Sequence, residues 1–306
     1  MMNKILEQLK RINAKRVFIQ FPEGLRLKIL TISKRLEKEG FQTIICTERC
    51  YGACDVRDVE AKRLGCDVIL HIGHTPFVKK TEIPVIYWEY RLDVDPIPIL
   101  EKDLHKLEKY QNIGLLTSIQ FVQTISKVKT YLEEKGKNVF VYKALMYPGQ
   151  VLGCNLEAAK SIEDKVDCFL CITAGHFYGF GIVLQTEKPV FSLDLEKSEI
   201  YSLEQEKRKI QKIIAWNKSQ LEDAERIGIL VSWKKGQIKL VASEIKKKLE
   251  KLDKEVYILA MDEITPDKLE GLKLDFLINC ACPRIGIDDI GRYRIPIINC
   301  SEMEKS

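Results

Sequence analysis

No stretch of this 306-residue chain approaches the ~18 apolar residues that a membrane span requires. The opening residues, MMNKILEQLKRINAKR, carry apolar side chains at helical spacing without the continuous apolar core of a secretion signal. An excess of one charge is also lacking. The 49 basic and 44 acidic residues leave a net +5, spread along the chain rather than gathered in a tail, which argues against a nucleic-acid partner. Aromatics are sparse at 8%. What remains is the composition of a soluble globular protein, 45% hydrophobic and 30% charged, and the expected location is the cytoplasm. Thiols are kept reduced there, so the ten cysteines are expected to be buried apolar side chains plus a few metal or catalytic ligands, not a disulfide framework.

The chain repeats one plan three times. An apolar, β-rich run, a loop and a helical pattern begin at Val17 (VFIQFPEGLRLKIL), at Ile113 (IGLLTSIQFVQTI) and at Ile227 (IGILVSWKKGQIKL). Gly40 and Gly136 are natural stops for the first two helices. Each copy continues with a second strand (residues 41–46, 138–145 and 255–261), a third (66–72, 167–173 and 275–280) and a short fourth (83–88, 188–193 and 294–299). Strands that alternate with helices and are nearly continuous in apolar residues fit parallel sheets covered on both faces. The expected fold is therefore α/β, with three similar Rossmann-like domains over residues 1–98, 99–205 and 206–306 and mainly parallel sheets. The connections, DVDPIP and the charged segment SLEQEKRKIQKIIAWNKSQLEDAER, are not low-complexity and are expected to be packed.

In open α/β sheets ligands bind beyond the carboxyl ends of the strands, so the loops at those ends carry the candidate chemistry. After the third strands come GHTP, AGHFYGFG and ACPRIG, with His74, His176 and Cys282 at equivalent places. After the second strands come ERCYGACD and MYPGQVLGCN, with Cys54 and Cys154 at the same edge. The pattern is one exposed loop cysteine per copy: Cys54, Cys154 and Cys282. Each sits in a loop marked by Gly or Pro, near a helix start whose positive dipole end would lower a thiol pKa. The expectation is that these three are metal ligands. Cys46, Cys66, Cys168, Cys171, Cys280 and Cys300 lie in or beside apolar strands and read as buried structural thiols. Cys168 and Cys171 form a CxxC, but residues three apart on a strand point to opposite faces and do not chelate. Cys50 is the doubtful member, either a second ligand in a CxxxC with Cys54 or a neighbour. Three thiolates from three domains suit zinc, or a [4Fe-4S] cluster with one iron left open to a substrate. The spacing does not decide between them.

At four motifs, YGACD (51–55), VLGCN (151–155), KKGQ (234–237) and CPRIGIDD (282–289), the sequence resembles the archaeal enzymes of the first step of diphthamide biosynthesis, the 2-(3-amino-3-carboxypropyl)histidine synthases. The motifs are scattered over all three copies, so the resemblance covers essentially the whole chain. Each alone is weak, and together they are specific. The resemblance implies three α/β domains in a pseudo-threefold triangle, a homodimer, and a [4Fe-4S] cluster held by one cysteine of each domain. Carried over by motif, its ligands are Cys54, Cys154 and Cys282, with Cys50 a neighbour of no assigned role. It further implies S-adenosyl-L-methionine as co-substrate and an unidentified electron donor. One electron from the reduced cluster would break the bond between the sulfur and the methionine γ-carbon. The 3-amino-3-carboxypropyl group would pass to an imidazole carbon of a histidine in translation elongation factor 2. The absence of the compact CxxxCxxC of ordinary radical enzymes is consistent with a different bond being cut.

The positions proposed to hold S-adenosyl-L-methionine are Pro22, Gly24 and Arg26 of PEGLR, Gln237 of KKGQ, and Arg284. An arginine or a cluster of backbone N–H groups suits the methionine carboxylate. The competing reading of Arg26 and Arg284 is an ordinary ion pair. His74 and His176 read as hydrogen-bonded loop histidines or site walls, and no catalytic group is assigned beyond the cluster. Two alternatives stand beside this reading: a quinolinate synthase-like [4Fe-4S] enzyme on a similar triangle of domains, and a non-catalytic, zinc-stapled binding protein.

Overall fold

The computed structural model describes residues 2–175 and 177–303, so His176 lies outside the described residues. The fold is α/β with three mostly parallel sheets. The first contains β1 (Arg16–Gln20), β2 (Gln42–Ile45), β3 (Val68–Ile72) and β4 (Val85–Trp88), in the order β2-β1-β3-β4 and all parallel. The second contains β5 (Asn112–Thr117), β6 (Asn138–Phe140), β7 (Cys168–Thr173), β8 (Val190–Asp194) and β9 (Glu199–Ser202), ordered β6-β5-β7-β8-β9. Only its β8–β9 pair is antiparallel. The third contains β10 (Arg226–Ser232), β11 (Glu255–Met261), β12 (Phe276–Asn279) and β13 (Ile297–Asn299), ordered β11-β10-β12-β13 and all parallel.

The described helices are α1 (Met2–Arg11), α2 (Arg26–Lys38), α3 (Asp58–Arg63), α4 (Ile97–Asp103), α5 (Ile125–Glu134), α6 (Glu157–Lys160), α7 (Phe177–Val183), α8 (Glu204–Ser219) and α9 (Ala242–Glu250). Among the described residues, none is long and apolar enough to cross a membrane.

The strands are apolar at nearly every position because each sheet separates two cores. Val17 and Ile19 of β1 pack into one apolar cluster and Phe18 into another. Leu115 and Leu116 of β5 divide the same way, as do Ile229 and Leu230 of β10. The helices between strands supply the covering layers. The registers Val17↔Val68, Ile113↔Cys168 and Ile227↔Phe276 make the central strand pairs equivalent. In every sheet the strand order reverses between these two central strands, so the carboxyl edge at that point is the natural ligand crevice.

Gly40 and Gly136 stop their helices as the sequence predicts, with φ of +91° and +79°. Phe41 N donates to Leu36 O and Gly40 N to Glu37 O, and Lys137 and Gly136 repeat the pattern on Leu132 and Glu133. This is the paired-bond stop that a left-handed residue allows. Two expectations needed correction. The second strand of the second copy ends at Phe140 rather than continuing to residue 145, because this edge strand is paired only along Asn112–Gly114 of β5. β9 was not anticipated, and it turns back on β8.

The chain divides into two compact units, Met1–Leu92 with Lys234–Gln237, and Asp93–Trp233 with Ile238–Ser306. The first holds the first sheet. The second holds the other two, and α8 is packed between elements of both. Lys207 Nζ donates to Thr186 O at 2.8 Å and Asn217 Nδ2 to Ile297 O at 2.9 Å, both buried.

Candidate metal centre

In the first unit, the Cys54 loop is pinned from below by a polar residue at the end of an apolar strand. Gln20, fully buried on β1, donates from Nε2 to Asp55 O at 2.6 Å and accepts from Arg57 N at 3.3 Å. The KKGQ segment holds the loop from its other side. Lys234 Nζ lies 2.6 Å from Asp55 Oδ2, and the two side chains are 4% and 3% exposed. Lys235 Nζ lies 2.6 Å from Asp58 Oδ2 at the start of α3. Gly236 N donates to Cys54 O at 2.9 Å, and a Cβ on Gly236 would stand 2.5 Å from Cys54 Cα. Only glycine permits that approach. Gln237 Nε2 then donates to Cys54 Sγ at 3.4 Å.

Cys54 is partly buried, and burial pushes its thiol pKa up, with the Gln237 hydrogen bond acting against that. The lowering anticipated from a helix dipole is not what dominates. α3 begins only at Asp58, so desolvation outweighs the distant N-terminus.

In the second unit, Cys154 is exposed on a tight turn closed by Leu152 N to Asn155 O at 3.0 Å and Asn155 N to Leu152 O at 3.2 Å. A side chain at Gly153 would overlap the Phe177 ring. That ring also carries the Arg284 guanidinium, 3.6 Å from its centroid. The Cys154 turn and the turn after Cys282 therefore meet on one aromatic side chain. Cys282, partly buried, caps the short turn Pro283–Gly286. Its carbonyl accepts from Asn279 Nδ2 at 2.8 Å. Asn279 also donates to Asn299 Oδ1 at 2.6 Å, and Asn299 Nδ2 reaches Pro283 O at 2.9 Å. These two buried asparagines, on β12 and β13, do for Cys282 what Gln20 does for Cys54.

Of the positions proposed for S-adenosyl-L-methionine, Gln237 lies against Cys54 and Arg284 follows the Cys282 turn, where its Nε donates to Asp288 Oδ2 at 3.0 Å. Pro22, Gly24 and Arg26 share the turn between β1 and α2, and Arg26 is ion-paired with Glu23 at 2.7 Å on an exposed surface. Cys168 and Cys171 pack into different apolar clusters on opposite faces of the second sheet, and burial pushes both thiols up to about 12. Cys46, Cys66 and Cys280 are buried, while Cys300 is only partly so. Cys50 is not displayed with Cys54: it is 2% exposed. His74 Nδ1 lies 3.0 Å from Nε2 of His71 on β3.

The sequence reading missed Gln20, His71, Asn279 and Asn299. Their one signal is position, a polar residue in the last two places of an apolar strand, at the carboxyl edge. All ten cysteines are unbridged thiols. Three of them, Cys54, Cys154 and Cys282, lie one beyond the carboxyl edge of each sheet, in loops fixed by buried polar side chains or tight turns.

Residues 21–306 match the family model described as a putative diphthamide synthesis protein. The chain is 34% identical to the 2-(3-amino-3-carboxypropyl)histidine synthase of Pyrococcus horikoshii, over 99% of this chain and 88% of that one. It is 30% identical to the synthase of the same name from Methanocaldococcus jannaschii, over 98% and 86%. Among solved structures it resembles Dph2 from Pyrococcus horikoshii with a 4Fe-4S cluster, at a TM-score of 0.89 and 33% identity over 99% of this chain and 89% of that one.

Proposed function

The chain belongs to the diphthamide synthesis family, and on that premise we propose that it catalyses the first step of diphthamide biosynthesis. The reaction transfers the 3-amino-3-carboxypropyl group of S-adenosyl-L-methionine to an imidazole carbon of a histidine in elongation factor 2. The observation that carries the reading is the set of three thiols, one in a loop beyond each sheet, in a chain aligned end to end with synthases of that name. Cys54, Cys154 and Cys282 are the proposed cluster ligands. A [4Fe-4S] cluster held by these three thiolates would supply the electron for reductive cleavage of the sulfur to γ-carbon bond.

The chain's own residues position and shield. The Gln237 amide donates to the Cys54 sulfur and would stabilise its thiolate form, as hydrogen bonds to ligating sulfurs do. The Lys234–Asp55 pair fixes the loop that bears it. Arg284, oriented by the Phe177 ring and Asp288, retains terminal N–H donors of the kind that hold the methionine carboxylate. Pro22, Gly24 and Arg26 are proposed as further contacts at the first sheet's edge. The sheets fall within residues 16–88, 112–202 and 226–299, which supports domain limits at 1–98, 99–205 and 206–306. A cytoplasmic homodimer and a separate electron donor complete the proposal and rest on the family resemblance.

The test is incubation without oxygen of the protein, S-adenosyl-L-methionine, a strong reductant and elongation factor 2. Cleavage at the γ-carbon leaves 5′-methylthioadenosine, and mass spectrometry should find the added aminocarboxypropyl group on one histidine. Formation of 5′-deoxyadenosine, or unmodified elongation factor, would contradict the reading.

A further inference from the structure

Cys50, His71 and His74 form a cluster in the first unit that the proposed transfer does not use. We propose that these side chains are a second metal site, binding one zinc-type divalent cation through a thiolate and two imidazoles, separate from the centre assigned to Cys54.

His71 lies on β3 opposite Gln20 of β1 and Tyr87 of β4, with no exposed surface. Ile69, on the same face two residues earlier, packs with Val56 and Ala61, so this face looks toward the 50–57 loop. Cys50 comes down from that loop, and its Sγ lies 3.9 Å from His71 Nε2. The chain turns at Gly73 and returns His74, whose Nδ1 lies 3.0 Å from the same Nε2. All three donor atoms are within 4.8 Å of one another. A tetrahedral zinc, with Zn–N of about 2.0–2.1 Å and Zn–S of about 2.3 Å, sets neighbouring donors roughly 3.3–3.7 Å apart. The two observed spacings bracket that range, so small side-chain rotations suffice.

The donor types favour the same ion. A thiolate with two imidazoles suits zinc, whereas calcium and magnesium take oxygen ligands. Alone, the three groups satisfy one another poorly. Two neutral imidazoles share one hydrogen between Nε2 and Nδ1, and the Cys50 sulfur stands 3.9 Å from the same Nε2. Partly satisfied polar groups in a buried place are costly, and a cation engages all three donors at once. Binding would replace the Cys50 thiol proton and release it to solvent. Zinc has no redox chemistry, so it would leave electron delivery to the cluster undisturbed. Its effect would be to tie β3 and the turn after it to the loop that carries Cys54.

The test uses the full chain purified without oxygen, dialysed against micromolar zinc and desalted, with zinc, iron and sulfide measured together. About one zinc per chain is expected in the wild type and in Cys54→Ala. Cys50→Ser and His74→Gln should each lower zinc retention about tenfold or more while keeping iron and sulfide. Far-UV circular dichroism checks that each variant folds, and His74→Gln carries the test if Cys50→Ser does not. No zinc above background in the wild type would overturn the proposal, and so would variants that retain as much as the wild type. If Cys50→Ser strips the iron instead, Cys50 serves the cluster and the assignment fails.

Discussion

At the carboxyl edge of the first sheet, Lys234 and Asp55 form an ion pair whose side chains are 4% and 3% exposed. A pair so enclosed is not screened by solvent, and removing Lys234 leaves the buried Asp55 carboxylate with Arg57 alone, whose Nε lies 3.7 Å from Oδ1. Lys234→Met is therefore expected to lose about 1–3 kcal/mol in urea unfolding, because Arg57 stays beside the carboxylate. A loss below about 1 kcal/mol would place the pair in the solvated class instead. Gly236 is the second sensitive position, because its missing Cβ would stand 2.5 Å from Cys54 Cα. Gly236→Ala should cost about 1–3 kcal/mol as overpacking and should lower iron content, with both measured on the same preparation. The loop cysteines were legible because Gly or Pro marks the loop of each of them. Gln20, His71, Asn279 and Asn299 were not. A polar residue ending an apolar strand gives no clue to its partner, and Gln20 reaches a carbonyl 35 residues away.

The same economy recurs at the scale of elements. An aspartate before the third strand of each copy ties the first strand's start. Asp67 accepts from Arg16 N and Lys15 N, Asp167 from Asn112 N and Gln111 N, and Asp275 from Arg226 N. These backbone hydrogen bonds, from Arg16, Asn112 and Arg226 foremost, hold all three carboxyls below the usual range. A lowered folded pKa adds stability that is present above the unfolded value of about 3.9 and is lost as pH falls through the folded value. The triple Asp→Asn variant should thus be less stable than wild type at neutral pH, with the gap closing below about pH 4 in acid titrations followed by circular dichroism. A constant gap would mean the charge is irrelevant. Gly136, at φ +79° with open space around its Cβ position, should cost about 1 kcal/mol on change to Ala, from backbone strain alone. The third copy meets the same requirement with Asp253 at φ +57°, so its helix stop had no glycine to mark it in the sequence. β6 was over-extended for a related reason: apolar alternation persists past Phe140, but the edge strand lacks a second neighbour to pair with.

For the whole molecule, the threefold repetition was legible because each copy spells the same order of apolar runs and loops. The compact units do not follow the copies. Residues 234–237 come from the third copy yet belong to the first unit, since Lys234 and Lys235 find their counter-charges in Asp55 and Asp58. Charge complementarity between distant segments has no periodic signature, so no pattern in the sequence announces it. The family match supplies the chemistry that spacing left open between zinc and iron–sulfur. The central claim is that one thiol from each repeat holds a shared cluster. It is tested most directly by iron and acid-labile sulfide content in anaerobically purified Cys54→Ala, Cys154→Ala, Cys282→Ala and Cys168→Ala. The account predicts that the first three each lose the cluster while Cys168→Ala, altered only within a strand core, keeps it. A Cys168→Ala protein that bleaches while Cys154→Ala stays brown would contradict it.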